Sequence, residues 1–169
     1  MSTNTTTKIM KLDELIAIDF HTHAEVSRWN PFDAYGEEYD RAADKFFGSN
    51  RRPTIAETVA YYREKKIAFV MFTVDAEAQM GRRRIPNEEI AQAARDNADV
   101  MIAFGSIDPH KGKMGAREAR RLITEEGVRG FKFHPTVQGY ILRTKWRGRF
   151  MRSLPNTNCP PFFTQGTAA

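Results

Sequence analysis

Residues 16–25 read Ile16-Ala17-Ile18-Asp19-Phe20-His21-Thr22-His23-Ala24-Glu25. Ile16, Ile18 and Phe20 alternate with Asp19, His21 and His23, and a period of two marks a strand whose successive side chains point to opposite faces. The pattern predicts one apolar face and one face carrying Asp19 and two imidazoles. At a rise of about 3.3 Å per residue the Cα atoms of His21 and His23 stand about 7 Å apart, close enough for both rings to share one divalent ion. Neutral imidazole is the commonest biological metal ligand. The same pair also fits two ordinary strand-end histidines satisfied by backbone hydrogen bonds, and His-x-His alone does not choose between the two.

Beyond this strand, helix and strand signals alternate along the chain. Thr54 with Glu57 forms a capping box that opens a helix running to Lys66, with Ile55, Val59 and Tyr62 at helical spacing. Ile67 to Val74 is a continuous apolar run of the kind a parallel strand covered on both faces requires. Pro86 and Asn87 introduce a helix from Glu88 to Ala98, and Val100 to Ile107 gives a third strand stopped by Asp108-Pro109. A helix from Gly115 to Glu126 buries Ala116, Ala119, Leu122 and Ile123, with Gly127 as its C-cap. In the fourth strand, Val128 to His134, Phe131 and Phe133 point one way while Lys132 and His134 point the other. A lysine and a histidine on the inner face of a parallel strand are costly unless something anionic or metallic meets them, which makes Lys132 and His134 candidate catalytic residues. His134, lying before Pro135, is equally open to a strand-end role held by a backbone bond.

Ile-Asp-Phe-His-Thr-His at 18–23, followed by Gly-Phe-Lys-Phe-His-Pro at 130–135, resembles the amidohydrolase superfamily. The likeness is to its amidohydrolase-related branch, which includes amino-carboxymuconate-semialdehyde decarboxylase and resorcylate decarboxylase, and it runs from Leu15 to Tyr140. It implies a metal-dependent (β/α)₈ barrel in which His21 and His23 are metal ligands. By the same resemblance a further histidine ligand comes from strand five and a catalytic aspartate from strand eight, leaving Lys132 and His134 beside the metal or on substrate. The implied cofactor is a divalent metal, Zn²⁺ first, and the implied partner is a small-molecule substrate. Hydrolysis of a small carbonyl compound is the first reading of the activity, and non-oxidative decarboxylation of a small, often aromatic acid is the second.

Length bounds this reading. The chain has 169 residues, whereas a (β/α)₈ barrel takes about 250. The expectation is therefore an α/β fold, the N-terminal half of a TIM barrel with four parallel strands and three intervening helices. Residues 1–14 form a flexible lead-in, 15–140 the partial barrel and 141–169 a separate tail. The single Cys159 excludes an internal disulfide framework. No stretch approaches the roughly 20 apolar residues of a membrane span, and Met1 to Lys8 has no apolar core of a signal peptide, which makes the cytoplasm the default address.

The net charge of +5 is localised: Ile141 to Ala169 holds five lysines and arginines and no acid, leaving 21 basic and 21 acidic residues in the rest. The same stretch has neither helical nor strand periodicity. If the reading frame is displaced after Tyr140, joining the third base of each codon to the first two of the next yields a helix-like string and a strand ending in Phe-His-Thr-Gly, which resembles the family where the in-frame text departs from it. The tail is thus expected to be out of frame, and the half-barrel to be poorly soluble and inactive. The rival reading makes Arg143 to Arg152 a nucleic-acid contact, as arginine-rich segments with aromatics can be. Three further sets stay open. Trp29, Phe32, Tyr35, Tyr39, Phe46 and Phe47 line a pocket or pack the long loop after strand one; Arg51 and Arg52 meet a substrate carboxylate or solvent; Arg82 to Arg84 form a solvated loop or, as the rarer alternative, a nucleic-acid contact. His110, without a sequence partner, reads as structural. Nothing in the sequence fixes the oligomeric state.

Overall fold

A computed structural model describes residues 8–30, 41–42, 44–46, 48, 52–81, 83–140 and, as backbone, 161–163. The expectations placed on Phe32, Tyr35, Tyr39, Phe47, Arg51, Arg82 and on 141–160 fall outside the described residues. A 3₁₀ turn at Leu12–Glu14 leads into strand β1, Ala17–His23. Helix α1 (Ile55–Glu64) then precedes β2 (Ile67–Phe72), and helices α2 (Glu77–Met80) and α3 (Asn87–Asp96) precede β3 (Met101–Gly105). After a 3₁₀ turn at Pro109–Lys111 come α4 (Gly112–Thr124), β4 (Gly130–Phe133) and a three-residue β5 (Pro161–Phe163). The strands lie side by side in chain order, β1-β2-β3-β4-β5, and every pairing is parallel.

This is the partial barrel that the βα rhythm predicts. The capping box forms as read: Thr54 Oγ1 accepts from Glu57 N–H, and the Glu57 carboxylate accepts from Thr54 N–H at 2.7 Å. β2 is buried on both faces, with Ala68 through Phe72 wholly excluded from solvent. Phe69 and Met71 turn to the helices and join Ile90, Leu122, Phe131 and Phe133 in the main core, while Val70, Phe72 and Phe104 form a second cluster on the sheet's other face. Burying each such side chain contributes about 1.5–3 kcal/mol, which is why an all-apolar run settles here and not at an edge. Among the described residues β1 is an outer strand, and Ile16 and Phe20 remain 73% and 47% exposed. The predicted apolar face of this strand is therefore uncovered.

Three details differ from the sequence reading. α2 has no counterpart there; it is one turn long and ends on Gly81 at φ +65°, a left-handed position that glycine occupies without strain. The tail, read as lacking any period, contributes β5, which pairs with the free edge of β4 through Phe131–Pro161, Lys132–Phe162 and Phe133–Phe163. An edge strand presents unpaired N–H and C=O groups that any extended segment can satisfy, and proline is tolerated at a strand's first residue. The third difference is in β1. Asp19 pairs with Phe69 but Thr22 pairs with Met71, so three steps on β1 match two on β2. One extra residue is accommodated as a bulge, and the strict alternation of the sequence breaks there.

Candidate metal and substrate site

The bulge decides which β1 side chains meet. In register with Phe69, Asp19 lies on the helix-facing side of the sheet, where its Oδ2 accepts from the Tyr62 hydroxyl at 2.5 Å. Past the bulge His23 pairs with Phe72, on the opposite side, and His21 joins it there. The expectation that Asp19 shares a face with the two histidines is thus corrected. Alternation would have put them together, and the extra residue separates them. Tyr62 and the His21 N–H, in that order of effect, hold the Asp19 carboxyl below its usual range.

His21 and His23 stack with ring centroids 5.2 Å apart and their Nε2 atoms 3.1 Å apart. Both rings rest on Phe72, at 5.5 and 4.8 Å between centroids. From β4 Lys132 brings its Nζ to 3.4 Å from His21 Nε2 and 4.8 Å from the centre of the Phe72 ring. β4 supplies that lysine by the alternation read from its sequence: Phe131 and Phe133 face the helices and Lys132 faces the histidines. Gly130 lets the strand approach, since a Cβ there would lie 2.5 Å from the Phe104 ring.

The electrostatics follow from crowding cations and imidazoles in a poorly solvated place. Burial, then His21, Lys132 and His134, push the His23 pKa down to about 4. Burial and Lys132 lower His21 and His134 as well. Lys132 itself, wholly buried, falls from 10.5 to about 8 through loss of solvation. All three imidazoles are therefore neutral near pH 7, the state in which they can donate a lone pair. Two neutral Nε2 atoms converging on one point fit a divalent ion as one side of its coordination shell. Among the described residues no group of three histidine, cysteine, aspartate or glutamate side chains completes that shell.

His134 leaves β4 at its C-terminal end, the end at which barrel enzymes place their sites. Its Nδ1 accepts from Val137 N–H at 3.4 Å, which puts the proton of the neutral ring on Nε2. Gln138, fully buried and absent from the sequence reading, accepts from His134 N–H at 2.7 Å and donates to the carbonyls of Asp75 and Ile107. Ser106 donates to the Lys132 carbonyl and accepts from Asp75 N–H. Together these two residues tie the ends of β2, β3 and β4. Ser106 stands just past the apolar run of β3, the signal that could have found it, whereas Gln138, five residues beyond β4, has none. Phe72, the platform of the site, carries no such signal, because its position in an apolar run looks like core.

Other expectations resolve plainly. Arg84 is not solvated: it pairs with Glu118 and, at 3.4 Å, with the buried Asp75, which also takes Lys111 Nζ at 2.7 Å. Arg52 pairs with Asp44 at 2.5 Å and His110 Nδ1 with Asp108 at 2.8 Å. Trp29 and Phe46 are exposed. No helix among the described residues is long and apolar enough to cross a membrane.

The family model described as Amidohydrolase matches residues 18–164, and the chain belongs to that family. The match passes Tyr140, where the resemblance read from the sequence stopped, and takes in β5. Among solved structures the chain is similar to 5-carboxyvanillate decarboxylase from Novosphingobium aromaticivorans, determined with manganese and 3-methoxy-4-hydroxy-5-nitrobenzoic acid bound, at 16% identity and a TM-score of 0.58. That likeness, which is one of fold, covers 87% of this chain and 50% of the other, so the chain spans about half that protein's length. No curated protein matches the chain.

Proposed function

We propose that His21 and His23 hold a divalent metal and that the site acts on a small carbonyl or carboxylate compound. The observation that carries this is the convergence of two neutral imidazole nitrogens, 3.1 Å apart, beside a buried lysine 3.4 Å away. A bound ion supplies Lewis acidity and lowers the pKa of water toward about 7. Lys132 offers a fixed positive charge to an anionic oxygen and excludes water by its own burial. His134, carrying its proton on Nε2, would donate to the same substrate oxygen.

Hydrolysis is the first reading of the reaction, in line with the family. Decarboxylation of an aromatic acid is the second, favoured by the ligand of the similar structure. Zn²⁺ is the first choice of metal from the donor set, and Mn²⁺ the second from the same neighbour. Among the described residues two imidazoles stand where catalytic zinc usually has three protein ligands, so weak metal binding and slow or no turnover are expected of this chain.

Calorimetric titration of metal-free protein with Zn²⁺ and Mn²⁺ tests the site. Binding by the wild type that His21→Ala and His23→Ala each abolish is the expected result. Binding that survives both substitutions overturns the assignment. Incubation of loaded protein with amides, lactones and hydroxybenzoates, followed by chromatography and CO₂ detection, separates the two reactions.

A further inference from the structure

We infer that Asp19 and Tyr62 are positioning residues that hold the β1 bulge and thereby turn both histidines to one side of the sheet. The inference rests on the reading that His21 and His23 bind a metal, and it adds residues to which sequence and family assign no such part.

Between the Asp19–Phe69 and Thr22–Met71 pairs β1 has one residue more than β2. A bulge of this kind interrupts the ladder and re-aims the side chains beyond it. The backbone N–H of His21 lies inside the interrupted stretch, and Asp19 Oδ1 accepts from it at 2.8 Å. The other carboxylate oxygen accepts from the Tyr62 hydroxyl at 2.5 Å, and Thr22 Oγ1 reaches that same hydroxyl at 3.4 Å. Tyr62 is itself fixed: it belongs to α1, packs against the main core and lies 4.6 Å from the Phe69 ring. A continuous path therefore links the helix layer to the histidines, from Phe69 through Tyr62 and Asp19 to the His21 amide. Without the bulge, a period of two would carry Asp19, His21 and His23 on one face. With it, the carboxylate faces the helix and the imidazoles face Lys132. Asp19 acts here through the strand and not as a ligand.

Three variants test this: Tyr62→Phe, which keeps the ring on Phe69; Asp19→Ala; and Asp19→Asn, whose carbonyl can still accept the His21 N–H. Zn²⁺ affinity by calorimetry is expected to fall about 10–100-fold in Asp19→Ala, as for other groups that orient metal ligands, with a recovery to within a few-fold in Asp19→Asn. Tyr62→Phe is expected to lose about tenfold, as for a lost hydrogen bond to a charged group. The metal-free readout is NMR: cross-peaks between the His21 and His23 rings and slow exchange of the His21 amide, present in the wild type and Asp19→Asn and lost in Asp19→Ala. Unchanged affinity and intact ring cross-peaks in both Tyr62→Phe and Asp19→Ala overturn the inference. So does Asp19→Asn losing as much affinity as Asp19→Ala while Tyr62→Phe loses none, because that pattern makes the carboxylate a ligand. A wild type that binds no metal sinks the proposed function alone, and the ring cross-peaks still decide the positioning role.

Discussion

Replacing Lys132 by methionine should stabilise the metal-free protein at neutral pH. The ammonium is wholly buried and its pKa falls from 10.5 to about 8 for lack of solvation. At about 1.36 kcal/mol per pH unit, keeping that charge inside costs on the order of 3 kcal/mol, less what the Phe72 ring returns through its cation–π contact, about 1 kcal/mol. The net gain expected of Lys132→Met is about 2 kcal/mol. Its pH dependence is fixed by linkage. Below about pH 8 the lysine is charged in both folded and unfolded chains and the whole cost is present. Between about 8 and 10.5 the unfolded chain binds more protons than the folded one, so wild-type stability rises with pH and the cost disappears. Urea unfolding of both proteins at pH 7 and pH 10.5, in the presence of a chelator, reads the difference directly. A methionine variant less stable than wild type at pH 7, or a gap of equal size at the two pH values, refutes the reasoning. A positive result would mark Lys132 as a residue kept at the expense of stability, as functional groups often are.

Gly130→Ala should destabilise by about 1–3 kcal/mol, because its Cβ would lie 2.5 Å from the Phe104 ring; urea unfolding measures the loss, and a Phe104→Leu background should reduce it. Thr54→Ala removes the half of the capping box in which Thr54 Oγ1 accepts from Glu57 N–H, leaving the Thr54 N–H to donate to Glu57, and should cost about 1 kcal/mol, read as a lower unfolding midpoint with an unchanged slope. Since His23 is held neutral down to about pH 4 when folded but takes a proton near 6.5 when unfolded, the metal-free protein should lose stability as pH falls from 6.5 toward 4; His23→Gln should flatten that acid limb in a pH series of thermal melts.

Local period was legible in the sequence wherever the strand stays regular. The apolar run of β2, the alternation that separates Lys132 from Phe131 and Phe133, and the Thr54–Glu57 box all formed as read. The candidate metal pair was legible too, because two histidines two residues apart need only a strand to bring them together. Asp19 was misplaced by the same rule, since a bulge is a property of two paired strands and one strand's text cannot show it. Arg84 was misread for a related reason: its partners Asp75 and Glu118 come from distant parts of the chain. The strand at 161–163 shows another limit. Phenylalanine codons begin with two thymines, so a one-base displacement leaves thymine in the middle position and an apolar residue in place of Phe162 and Phe163. In the displaced frame read above, the two positions would stay apolar.

The order of the strands also sets a timetable. Each strand pairs only with its neighbours in the chain, so the sheet can grow from β1 outward as the polypeptide emerges, without waiting for distant contacts. β1 is made first, yet closing a (β/α)₈ barrel gives strand one its second neighbour only at the last step. Among the described residues β1 has a neighbour on one side only, so the strand that carries His21 and His23 is open to an ion along its free flank.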